Sequence, residues 1–147
     1  MKALEFAVRT LTASAAMTLS QRIEMGVTHR PASDLPIHVV ERLIHVSVPT
    51  RARPGVGQIA QASLAALALR LARATTRLPF FIALALNVLS LVATNAIVAS
   101  ALGLSDMPWK WSGQDRAVDL THKSVLAMAA TLLSERPHGA GDDAPMT

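Results

Sequence analysis

The sequence of 147 residues predicts an all-α fold: a small integral-membrane helical bundle of four transmembrane helices, with one short amphipathic helix lying at the interface. Three observations lead there. Hydrophobic residues make up 51% of the chain and charged residues only 16%, against roughly a quarter charged in soluble domains. No residue from Leu78 to Ser105 carries a charge. The apolar content is Ala, Leu and Val, with three Phe, two Trp and no Tyr, which suits close helix packing more than a core of large rings.

The first expected span covers residues 3–20, ALEFAVRTLTASAAMTLS, whose only charges, Glu5 and Arg9, stand four apart on one helical face and can pair. A cleaved signal peptide is the competing reading, with Lys2 ahead of the apolar stretch and ASAA as a small-residue cleavage site. After it, Pro31 marks a turn, Ser33 or Asp34 a cap, and Pro36 a first helical turn. Ile37, Val40, Leu43 and Ile44 then share one face while Glu41 and Arg42 take the other, which defines the amphipathic interfacial helix over 36–46. Pro49, Pro54 and Gly55, with Arg51 and Arg53, form the linker that follows.

Residues 56–73 give the second span, uncharged up to Leu69 and basic at Arg70 and Arg73, with small-residue spacings such as Ala62 to Ala66 that allow close approach in lipid. An Ala-rich helix lying on a surface is the alternative. The third span, 79–103, has Pro79 in its first turn and Gly103 at its end. At 1.5 Å per residue it is long enough to cross a hydrocarbon core of about 30 Å, the alternative being the central helix of a soluble bundle. Trp109 and Trp111 follow as anchors in the aromatic belt, with Pro108 and Gly113 turning the chain. The fourth span, 117–134, is uncharged from Ser124, but Asp119, His122 and Lys123 require its first turns to stay in the interface or face other helices. Residues 137–147 are small, acidic and turn-rich, and are expected to be a disordered tail.

SAAMTLSQRIEM, RPASDLPIHVVERLI, the long apolar helix and LGLSDMPWKWSGQDRAVDLTHKSVLAMAATLL together resemble the small uncharacterised multi-pass membrane proteins of bacteria, of the YagU-like inner-membrane type, from about residue 10 to residue 134. Pro108, Trp109, Asp119 and His122 occupy the places of a Pro-Trp turn and an acidic residue three before a histidine. KSVLAMAAT lacks the Gly and aromatics that accompany them in such proteins. The resemblance implies a multi-pass architecture in the bacterial cytoplasmic (inner) membrane and no reaction.

Several chemistries are excluded by residue type. Without cysteine there are no disulfides, no Cys-ligated zinc, no iron–sulfur cluster and no thiol nucleophile. The histidines at 29, 38, 45, 122 and 138 show no metal-ligand spacing, and neither a nucleophile elbow nor a phosphate-binding glycine loop occurs. The net charge of +4 is spread along the chain, which points to an anionic lipid surface and away from nucleic acid. No cofactor, metal or catalytic residue is expected.

Four polar residues remain as candidates. Asn87 and Asn95, with Ser90 and Thr94 between them, fall near one face of the long helix, which should turn from lipid toward other helices. Asp119 and His122 are three apart and can pair on one face, although Asp119 and Lys123, four apart, can pair equally well. The leading expectation for function is a non-enzymatic membrane protein that associates with itself or with a larger membrane complex. A small transporter or channel component with a polar intramembrane path is the second reading, and a soluble helical binding module the third. With four spans, cations are slightly commoner on the side of 21–53 and 105–116, so the positive-inside rule leans toward both ends lying outside the cytoplasm.

Overall fold

The computed structural model describes residues 3–29, 31 and 33–134, and these fold as helices with no strand among them. Four long helices, α1 (Ala3–Thr28), α3 (Arg53–Ala74), α4 (Phe80–Ala101) and α5 (Gly113–Ser134), are joined by a short α2 (Leu35–Ile44) and a 3-10 turn at Pro108–Lys110. The tail expected at 137–147 lies outside the described residues.

Local chemistry sets the boundaries. α1 runs on past the expected limit at residue 20 because nothing in QRIEMGVT breaks a helix, and it ends where His29 turns left-handed at φ 57°. α2 ends the same way at His45, φ 54°, so two of the five histidines serve as helix terminators, a conformation His tolerates better than most. α4 closes in a Schellman motif: the Gly103 N–H donates to Ser100 O at 3.0 Å and the Leu104 N–H to Ala99 O at 2.9 Å, with Gly103 at φ 67°. α5 begins four residues before the expected span because Ser112 caps it, its Oγ accepting the Asp115 N–H at 3.1 Å.

α5 packs against α1, α3 and α4, and α3 packs against α1, α4 and α5, which leaves α1 and α4 at opposite corners. Ser20 meets His122 while Arg9 meets Leu133, so α1 and α5 are antiparallel. Asn87 of α4 meets Ala68 of α3 across the five-residue turn at 75–79. The result is an up-down bundle in which the C-terminal ends of α1 and α4 share one end with the N-terminal ends of α3 and α5. α2 covers that end, packed on α3 and α4.

The packing core is built from small residues. Ala13, Ala65, Ala68, Ala72, Ala127 and Ala130 are buried, with only Leu69, Leu91 and Leu126 as large fully buried apolar side chains. Large apolar side chains point outward: Leu4 and Val27 of α1 are 77% and 74% exposed and Phe81 of α4 is 80% exposed. α3 and α4 are each long and apolar enough to cross a membrane. At 22 residues each they reach about 33 Å.

Glu41 fastens α2 to the start of α3. Its Oε1 accepts the Val48 N–H at 2.9 Å, its Oε2 meets His38 Nδ1 at 3.0 Å, and Arg53 Nη2 lies 3.6 Å from Oε1. The Val48 hydrogen bond, then that of His38, holds this carboxyl below the usual carboxylate range. A carboxylate favoured in the fold stabilises it above the ordinary carboxylate pKa, and that contribution is lost as pH falls through the lowered value. Glu41→Gln is therefore expected to lower thermal stability at pH 7 and to match the parent protein once the pH is below the Glu41 titration. A deficit that stays constant down to that pH contradicts this role.

Candidate functional site

The end of the bundle under α2 holds a chamber of about 490 Å³. Its floor and walls come from all four long helices: Met17 and Gln21 from α1, Gln61 and Leu64 from α3, Asn95 from α4, and Asp119 from α5. Beneath it the bundle closes on the buried Leu69, Leu91 and Leu126. Most of the wall is apolar, and the polar groups gather where α1, α3 and α5 meet.

These polar groups are organised by helical spacing. On α1, Thr10, Ser14, Met17, Gln21 and Glu24 recur every three or four residues and face the neighbouring helices. Gln61 Nε2 donates to Gln21 Oε1, and Thr18 Oγ1 donates to Gln61 Oε1 at 3.2 Å, stitching α1 to α3. Ser20 Oγ and His122 Nδ1 are 3.0 Å apart, stitching α1 to α5. The other ring nitrogen of His122, Nε2, faces Glu24 Oε2 at 3.9 Å. A carboxylate on that side favours the proton on Nε2 and leaves Nδ1 to accept from the Ser20 hydroxyl.

Asp119 pairs with Lys123, one turn along α5, and not with His122. Position on the helix explains the choice: His122 turns toward α1, where Ser20 and Glu24 hold it, while Lys123 reaches back along its own helix. The Lys123 side chain is 4% exposed and that of Asp119 is 21% exposed, so the ammonium lies behind the carboxylate. Burying this cation alone would be costly, and the adjacent carboxylate offsets most of that cost.

The two asparagines part company. Asn87 is buried in the α3–α4 contact, where its Nδ2 donates to Ala68 O at 3.2 Å and its Oδ1 accepts nothing among the described residues. It joins two helices through the backbone of one. Asn95, two turns on, lines the chamber with Thr94 and makes no side-chain hydrogen bond among the described residues. The tryptophans separate as well. Trp109 is 73% exposed, whereas Trp111 lines the chamber and its Nε1 donates to Asp106 O at 2.5 Å and to Ser105 Oγ at 3.1 Å.

Among the described residues no group of three His, Asp or Glu is placed to hold a metal ion. Sequence reasoning reached Asp119, His122 and Asn95 but missed Ser20, Gln21, Glu24 and Gln61, their partners on α1 and α3. The α1 polar stripe was the available signal, and it runs across the residue-20 boundary that the hydropathy pattern suggested. No family model, curated protein or solved structure matches this chain.

The ion pair yields a mutational test. Asp119→Leu alone strands a buried ammonium and should destabilise the protein by about 3–5 kcal/mol. Adding Lys123→Met removes the stranded charge and should restore most of that loss in thermal unfolding of the purified protein. A double variant as unstable as the single one shows that the two side chains do not act as a pair.

Proposed function

We propose that this is a non-enzymatic, multi-pass integral membrane protein whose four long helices all cross the bilayer, surrounding a chamber that binds a ligand without converting it. The carrying observation is the inverted polarity of the helices. On α1, Leu4, Val8, Leu11, Leu19, Ile23 and Val27 face outward while Thr10, Ser14 and the chamber groups face inward. α5 repeats the arrangement, with Leu120, Met128 and Leu132 outside and His122, Lys123, Thr131 and Ser134 inside. A soluble bundle gains its stability from the opposite distribution. In hydrocarbon, outward leucines cost nothing and inward hydroxyls, amides and paired charges hold helices together.

This reading takes as spans α3 and α4, which are long and apolar enough, and also α1 and α5, in which Arg9, Asp119 and Lys123 are paired. Arg9 illustrates how: it pairs with Glu5 at 2.5 Å and donates to the Leu133 carbonyl in the last turn of α5, where a cation also opposes the helix dipole. Of the three functional expectations, the chamber favours a ligand-binding or transporter-type role over simple self-association, because its groups converge on a space and not on an outer face. The same multi-pass architecture is the one expected of the YagU-like inner-membrane proteins.

Fractionation provides the test. The protein should stay in the membrane pellet through alkaline carbonate and urea washes and enter solution only with detergent. Recovery in the wash supernatant would overturn the membrane reading in favour of a soluble helical module.

A further inference from the structure

From the chamber we infer a binding site for an amphiphilic organic cation, a substituted ammonium carrying an apolar body. The inference rests on the chamber reading above and names the class of ligand it would take. Three observations support it. Asp119 and Lys123 both line the chamber from α5 as an ion pair, and the carboxylate side chain is 21% exposed against 4% for the lysine, so the carboxylate is the more accessible charge of the two. The less buried partner of that pair is the anion, which favours a cation as the group it meets.

The second observation is Trp111, whose ring lines the same chamber while its N–H is tied to the loop at Ser105 and Asp106. An indole in the chamber wall is a partner for substituted ammonium groups, which indole rings attract. The third is the remainder of the wall. Met17, Val39, Leu64 and Val98 line it without a polar atom to satisfy, which suits an apolar body, while Asn95 and Thr94 retain unused hydrogen-bonding groups. A small inorganic cation would leave the apolar wall uncovered, and an anion would meet the Asp119 carboxylate before it met Lys123.

Free amines and lipid headgroups both carry such an ammonium, and the experiment separates these sources. Trp109→Phe leaves Trp111 as the sole fluorophore, since the chain has two Trp and no Tyr. In maltoside micelles, which carry no ammonium, benzyltrimethylammonium should change Trp111 emission saturably, and 3-phenylpropionate, of similar size and opposite charge, should not. Repeating the titration in phosphatidylcholine nanodiscs assigns the source: unchanged affinity points to a free amine, and loss of the response points to a headgroup already in the chamber. Asp119→Leu with Lys123→Met should weaken binding at least tenfold. Asn95→Leu, at a side chain with no hydrogen bond to lose, should weaken it also and does not depend on that pair for folding. No saturable response in micelles, equal or tighter binding of 3-phenylpropionate, or parent-like affinity in both variants would overturn the proposal. Because the titration uses purified protein, a negative result leaves the fractionation outcome standing, and a soluble protein that binds the cation would fail the membrane reading alone.

Discussion

Asp119 and Lys123 meet one turn apart on α5, which like α3 packs against every other long helix, and the orientation of α5 keeps the buried ammonium beside its carboxylate. A buried ammonium is tolerated only beside a carboxylate, and the pair is tolerated only if α5 turns its first three turns toward α1 and α3. Once α5 is oriented this way, His122 is carried against Ser20 and Glu24. Ala127, Ala130 and Thr131 then continue the same stripe into the core. One polar requirement near the start of α5 thus sets the rotation of the whole helix.

Small side chains make the rest possible. Alanine at the contact positions of α1, α3, α4 and α5 brings backbones close enough for Asn87 to reach the Ala68 carbonyl and for Gln61 to reach Gln21. Large residues at those positions would hold the helices apart and leave the polar groups buried without partners, a cost of about 1–3 kcal/mol each. The bulk that a soluble protein would place inside is carried on the outside by Leu4, Leu19, Ile59, Phe81 and Leu132.

Much of this was legible in the sequence because it depends on short-range pattern. The uncharged run ending near Gly103, the Pro36 start of α2 and the Glu5–Arg9 pair are each local, and each is found where it was expected. The chamber was legible only in part, because its geometry depends on contacts between residues far apart in the chain, such as Ser20 with His122 and Gln21 with Gln61. Spacing alone allowed Asp119 to pair with either His122 or Lys123. The tertiary position of α1 decided between them by supplying partners for the histidine. The extent of α1 shows the same limit: hydropathy falls at Gln21, but the helix continues to Thr28 because nothing in that stretch breaks it.

The central claim is that the polarity of the bundle is inverted because lipid surrounds it. The absence of native cysteine allows direct measurement through single cysteines carrying a nitroxide at Leu11, Leu19, Leu89 and Leu132, on the outer faces of α1, α4 and α5. In liposomes the account predicts high collision with oxygen and low collision with a water-soluble nickel complex at all four positions. Free access of the nickel complex to Leu19 and Leu132, with or without access to Leu89, would contradict it.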